Sequence, residues 1–299
     1  MYIFPLISTV VSLVFAVMLG RQYATKRRPF QLAWAIAMGL YGLASVAEAI
    51  GQISGWNNLL VKIYYICGAL LLVGFLALGT LYIQKPKVVS WLVLISGIMA
   101  MLGVFFSSYF DKTASNPEKL VAIVVFEVIL IELMILAWVF KERFSTIWLG
   151  HLVIGGTAGT ILATLAEVDG DILIDQVSNN KLPSEAIIKS LLLQNATLSI
   201  NAIGGLILIL GAVYSGWMLW RKNIMREIAI GTIVIGIGAT FPFVAGVLAG
   251  VLGVVGQAEK SIFLTIGIII MFFGFLQTGR SKPPAKKESS PAEKVEAPA

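Results

Sequence analysis

Charge, cysteine and histidine are scarce in this chain, and each scarcity closes off a class of function. Only 13% of its 299 residues are charged and 58% are hydrophobic, far from the balance of a soluble globular domain. A single cysteine, Cys67, excludes an internal disulfide, and a single histidine, His151, excludes a histidine-rich metal site. HExxH, GxSxG and paired cysteines are all absent, and the glycine-rich stretch from Gly231 to Gly256 carries no GK[ST]. No cofactor and no metal are therefore expected. The sequence points away from an enzyme, with intramembrane chemistry built on glutamates the one catalytic class left open.

What the chain has instead is apolar length. Its mean hydropathy is +0.90, and about 18 apolar residues suffice to cross the hydrocarbon layer as a helix. Stretches of that kind run approximately over 3–20, 31–53, 59–83, 89–110, 120–140, 146–166, 196–220, 227–256 and 260–278. This predicts an all-α, polytopic transmembrane helix bundle of about nine spans over 1–278, with seven or eight as the alternatives. The weakest span is the eighth, where Pro242 in ATFPFVAGVLAGVLGVVG can kink a helix or open a re-entrant turn.

The net charge of +6 is carried in short clusters between apolar spans, which suits membrane orientation and not nucleic acid. With the N-terminus outside and nine crossings, Arg21, Lys26–Arg28, Lys85, Lys87, Lys141, Arg143, Arg221, Lys222, Arg226 and the basic residues of the tail fall inside, as the positive-inside rule requires. Trp34, Trp91, Trp138, Trp148, Trp217 and Trp220 then lie near inner ends, at headgroup level. The first span lacks a basic leader and a clear cleavage site, so it is expected to be a retained helix. The C-terminal segment 279–299, SKPPAKKESSPAEKVEAPA with its preceding residues, is too polar to fold and is expected to be a disordered cytoplasmic tail. The outer loop over 168–195 is expected to hold an interfacial helix or an extension of the next span in its second half, starting near Pro183 and Ser184.

The segment VVFEVILIELMILAWVF, residues 124–140, places Glu127 and Glu132 where a carboxylate costs about 2.5–3.5 kcal/mol. Neither is expected to face lipid, and five residues of separation puts them about 140° apart on the helix. Three other rows follow helical spacing: Tyr41, Ser45, Glu48 and Gln52; Thr157, Thr160, Thr164 and Glu167; and Ser190, Gln194, Thr197 and Asn201. Lys62, Tyr64 and Tyr65 enter the third span at similar depth. These residues suggest a polar vestibule open to the outside, lined from the second, third, fifth, sixth and seventh spans, with Glu132 at its floor. Glu48, Lys62, Tyr65, Glu127, Glu132, Thr160, Glu167 and Asn201 are the candidate ligand- or proton-binding residues. A plainer reading stands beside it: Ser and Thr bond to their own helix carbonyls, Lys62 snorkels, and Glu48 and Glu167 simply reach water. The pairs Gly155/Gly159 and Gly246/Gly250 are expected to mark close helix contacts.

The segments KRRPFQLAW at 26–34 and KIYYICGALLLVGFLALGTLYI at 62–83 resemble a family of uncharacterised bacterial multi-pass membrane proteins with an RRPxxLAW turn and a LALGTxY third-helix end. More distantly, the same region is similar to the multi-helix membrane sensor regions of histidine kinases. The resemblance implies a bacterial inner membrane and supplies no activity. The expected function is a sensor or accessory subunit whose outward pocket binds a proton, a cation or a small polar ligand. Its partners are the lipid bilayer and, through the cytoplasmic face, another protein. The alternatives are a proton-coupled secondary transporter using Glu132, which predicts an inverted repeat, and a structural or assembly protein.

Overall fold

The computed structural model describes residues 2–110, 117–187, 191–221, 226–251 and 254–280. The tail and the basic residues expected within it beyond Arg280 lie outside these. Among the described residues the chain is helical, with one isolated antiparallel bridge, Val168 to Ile187, and no strand. Helices α1 (Ile3–Lys26), α2 (Pro29–Ser54), α3 (Asn58–Ile63), α4 (Leu72–Ile83), α5 (Pro86–Phe110), α6 (Pro117–Val139), α7 (Phe144–Leu165), α8 (Gly170–Ser178), α9 (Leu191–Arg221), α10 (Arg226–Gly246) and α11 (Gln257–Arg280) follow in order. A π-helical segment, Tyr64–Leu71, joins α3 to α4 into one 26-residue span, Asn58–Ile83. Eight helices among the described residues are long and apolar enough to cross a membrane. The remaining stretch of the nine is α6, 23 residues long.

Local chemistry sets the boundaries. Proline opens α2, α5 and α6, where its missing N–H costs nothing and its fixed φ suits the first turn. The first helix ends at Arg27, whose left-handed backbone (φ 52°) lets its N–H reach the Tyr23 carbonyl at 2.8 Å. Gly55 (φ 89°) turns the chain after α2, and the Asn57 side chain caps α3 by accepting from Leu60 N at 3.0 Å.

The Asn58–Ile83 span is central. Its buried Ala77, Leu78 and Leu81 join one apolar cluster with Leu130 of α6, Trp148 of α7 and Ile203 of α9, while Leu72 and Leu76 join another with Phe15 of α1, Met38 of α2 and Met271 of α11. A π segment inside a helix leaves carbonyls at its end open to further donors. Side chains from neighbouring helices donate to carbonyls here: Asn201 to Ala69 at 2.6 Å, Trp148 to Gly74 at 3.1 Å, and Trp34 to Leu76 at 3.1 Å. Trp148 is therefore a buried packing residue whose indole reaches deep along the central span, and Trp34 is half-buried. This corrects their placement as headgroup anchors. Trp91, Trp138, Trp217 and Trp220 stay exposed.

Helix α10 runs through Pro242 without breaking and continues into a π turn, Val247–Val251. The stretch Glu227–Ala249 is thus one continuous span, 23 residues long and apolar enough to cross a membrane. Its glycines make the contact with α11: Gly231 faces Gly274, Gly238 faces Gly267 and Met271, and Pro242 lies over Gly267. Seven residues separate the glycines on each helix, so each pair shares a face. Gly246 and Gly155 have open space where a Cβ would stand, and only Gly159 of the described glycines in the expected pairs packs, against Leu70.

The outer loop also differs from expectation. Its helix, α8, occupies the first half, capped by Asp169, whose carboxylate accepts from Asp171 and Ile172 N–H. The second half forms a 3-10 turn, Pro183–Ala186, and then α9 begins early, at Leu191. An Asx cap places the loop helix in the first half, while the start of α9 at Leu191 is the extension of the seventh span expected as the alternative.

Candidate functional site

Polar side chains of the transmembrane helices gather at the end of the bundle where α2 stops and α11 starts. Glu48, in the last two turns of α2, is 3% exposed. Its Oε1 accepts from Gln257 Nε2 at 2.6 Å, from Gln52 Nε2 at 3.2 Å and from the Ser261 hydroxyl. The Tyr64 hydroxyl lies 3.2 Å from Gln257 Nε2 and accepts from Lys260 Nζ at 3.2 Å. That ammonium also stands 5.4 Å from the centroid of the Tyr64 ring, which holds a positive charge beside the cluster. The network continues along the α1–α11 seam, where Ser8 and Thr265 hydroxyls are 2.9 Å apart and Thr265 donates to the Phe4 carbonyl at 3.1 Å. The Tyr41 hydroxyl is buried beside Ser8, and Gln52 Oε1 is buried with no hydrogen-bond partner among the described residues.

A surface latch covers this cluster. Asn180, left-handed at φ 55°, takes the place of an α11 cap: its carbonyl accepts from Gln257 N at 2.7 Å and its Oδ1 from Ala258 N at 2.9 Å. Its Nδ2 donates to Glu259 Oε2 at 2.9 Å, and the same oxygen accepts Gly256 N at 3.2 Å, closing a capping box. Gln257 thus belongs to both structures, its backbone to the latch and its side chain to Glu48.

The other candidates separate. Lys62 donates to the Thr164 carbonyl at 2.6 Å, at the C-terminal end of α7, where a cation suits the helix dipole. Tyr65 is buried with its hydroxyl 2.7 Å from Thr197 Oγ1, close to Asn201, which also donates to the Thr197 carbonyl at 2.7 Å. Thr160 is half-buried and its carbonyl accepts the Thr164 hydroxyl at 2.7 Å, the self-bonding role of a helical threonine. Glu167 is exposed. Glu127 is half-buried with Oε2 buried and unpartnered among the described residues; it precedes Met134, which packs on Gly97 of α5, by two turns and so shares that face. Glu132 is 58% exposed on the outside of the bundle, with Oε1 3.9 Å from His151 Nε2. Ser190 and Gln194 have no described side chains. The single vestibule expected from five spans is thus replaced by a closed cluster between α2, the π segment and α11, extended to α1, and by separate contacts elsewhere.

Gln257, Ser261, Thr265 and Ser8 were not among the candidates. Their signal was in the sequence: Gln257, Ser261 and Thr265 step by four along α11, and Ser8 and Ser12 do so along α1. Among the described residues no group of histidine, cysteine and acidic side chains could hold a metal ion. A buried carboxyl whose Oε1 accepts from Gln257, Gln52 and Ser261 can hold or release one proton, and the charged state strengthens each of those bonds. Compared with known families, curated proteins and solved structures, the chain matches none, and its function is read from this geometry: an integral membrane protein with a closed acidic cluster beneath a surface latch.

Proposed function

We propose that this membrane protein is a sensor or accessory subunit whose responsive element is the Glu48 cluster, with a proton or a small cation as its ligand. The carrying observation is the double engagement of Gln257, hydrogen-bonded to Asn180 through its backbone and to Glu48 through its side chain. A change of charge on Glu48 alters the side-chain bond, and the first turn of α11 and the surface loop feel it through the same residue. The N-terminus lies outside and the C-terminus inside, the orientation that the basic residues support, and the membrane is the bacterial inner one that the resemblance of 26–34 and 62–83 implies. The latch then faces the exterior, where pH and ions vary, and a cytoplasmic partner receives the response. The carrier alternative rests on Glu132, whose side chain is 58% exposed outside the bundle and is not joined to Glu48, so sensing is favoured.

The test is infrared difference spectroscopy on protein in lipid nanodiscs, with external pH stepped across the acidic and neutral range. The expected result is a carboxyl carbonyl band and accompanying amide changes that follow pH, both lost in Glu48→Gln. A spectrum identical in wild type and Glu48→Gln would overturn the reading.

A further inference from the structure

Glu132 and His151 stand on adjacent helices, α6 and α7, on the outer surface of the bundle. Their side chains are 58% and 45% exposed, and the nearest carboxylate oxygen and imidazole nitrogen are 3.9 Å apart, too long for a hydrogen bond. Each lies seven residues from the α6–α7 turn, counted from Val139 and from Phe144, which is about 10 Å along a helix rising 1.5 Å per residue. With the α6–α7 turn at headgroup level, that depth puts both groups in the hydrocarbon layer, beyond the reach of a short glutamate to the headgroups. Their exposed neighbours are apolar: Val128 and Ile135 on α6, and Ile154, 74% exposed, on α7. The imidazole Nδ1 lies 3.0 Å from the Ile147 carbonyl of its own helix, but lipid tails offer no partner to Nε2 or to the Glu132 carboxyl, so the face is incomplete in one copy of the chain.

We propose that the α6–α7 face is the interface between two copies of this chain, related by a two-fold axis that sets Glu132 of each against His151 of the other. The argument is charge complementarity. A face carrying both an acid and its base is complementary to itself, and a two-fold interface requires that property. Doubling the face lets each Glu132 carboxyl pair with the free Nε2 of the other copy's His151, away from lipid, while Nδ1 stays on the Ile147 carbonyl. Close approach is open on the same side of α7, where Ala158 is exposed and Gly155 has nothing within 4 Å of where its Cβ would stand. Helices in lipid associate through such small residues and interhelical polar contacts.

The experiment measures association of donor- and acceptor-labelled copies by energy transfer in liposomes, over a dilution series of protein in lipid. Wild type is expected to dimerise. Glu132→Ala and His151→Ala, each mixed with itself, are expected to dimerise about ten-fold more weakly, since neither retains a cross-pair. An equal mixture of the two variants restores one cross-pair, Glu132 of one copy with His151 of the other, and its hetero-association is expected to recover part of the loss. Circular dichroism and monodisperse elution confirm that both variants fold. Wild-type protein that stays monomeric at every dilution, because lipid covers the face, would overturn the proposal. So would association indifferent to both substitutions, or a mixture no better than its components, which would keep the pair within one chain.

Discussion

The carbonyl oxygen of Asn180 accepts the N–H of Gln257 at 2.7 Å across 77 residues of sequence, while the Asn180 side chain accepts from Ala258 and donates to Glu259. A left-handed residue in the outer loop therefore supplies the cap of α11. Asn180→Gly keeps the backbone conformation and removes the side-chain bonds, so it is expected to cost about 1 kcal/mol, the worth of a cap. Asn180→Ala adds about 1 kcal/mol of left-handed strain. Thermal unfolding in detergent gives the order wild type, Gly, Ala, and hydrogen exchange rises first at Gln257–Ser261 in both variants. Equal stability of the two variants would show that the turn carries no strain.

At Glu48, shape and hydrogen bonding make opposite demands on substitution. Glu48→Gln retains an oxygen to accept from Gln257 and Ser261, and it introduces no buried charge. Its stability is expected to stay within about 1 kcal/mol of wild type. Glu48→Leu fills the same space but leaves the Gln257 amide and the Gln52 amide without their acceptor, a loss of about 1–3 kcal/mol. Unfolding midpoints at one detergent concentration distinguish the two. A leucine variant as stable as the glutamine variant would mean that the donors find other acceptors within the cluster.

Lys62 bonds to the carbonyl of Thr164 at 2.6 Å, so it ties the start of the central span to the end of α7. Lys62→Met keeps the stem and removes the charge. The expected loss is about 0.5 kcal/mol, at the low end for a partly exposed group beside a helix C-terminus. Hydrogen exchange at Ala166, whose N–H bonds to Leu162, should quicken, while the Asn180 latch keeps its protection. Quickening at both places would show that Lys62 supports the whole end of the bundle.

Helix number and length were legible because each span needs a long apolar run, and the structure returns them with shifts at the ends. Azimuth was harder to read. The row Thr157, Thr160, Thr164 is a true helical face, yet Thr157 and Thr164 are exposed, because spacing states which residues share a face and not which neighbour that face meets. Glu48 was legible as a candidate, whereas its partners lie more than 200 residues away, at Gln257 and Ser261. Pairing at that separation follows from the return of α11 beside α1 and α2, which no local pattern encodes. Glu132 shows the converse. The cost of burying a charge predicts that it avoids lipid and floors a pocket, whereas its side chain is 58% exposed on the outside of the bundle, because that cost says nothing of which way a helix face turns.

The α10–α11 contact permits a sharper test of what glycine does in these helices. A methyl group at Gly238 would lie 2.6 Å from Met271 N and 2.8 Å from the Gly267 carbonyl. Both are backbone atoms of a packed helix and cannot rotate aside, so the helices must separate. Gly238→Ala is therefore expected to destabilise by about 1–3 kcal/mol, despite alanine's better helix propensity. Gly246, eight residues on, has nothing within 4 Å of its Cβ position. There propensity acts alone, and Gly246→Ala should stabilise by up to about 1 kcal/mol. Opposite signs for the two substitutions, measured by thermal unfolding in one detergent, establish that Gly238 is required by contact and Gly246 is not. The same sign at both would place the α10–α11 distance under some control other than these glycines.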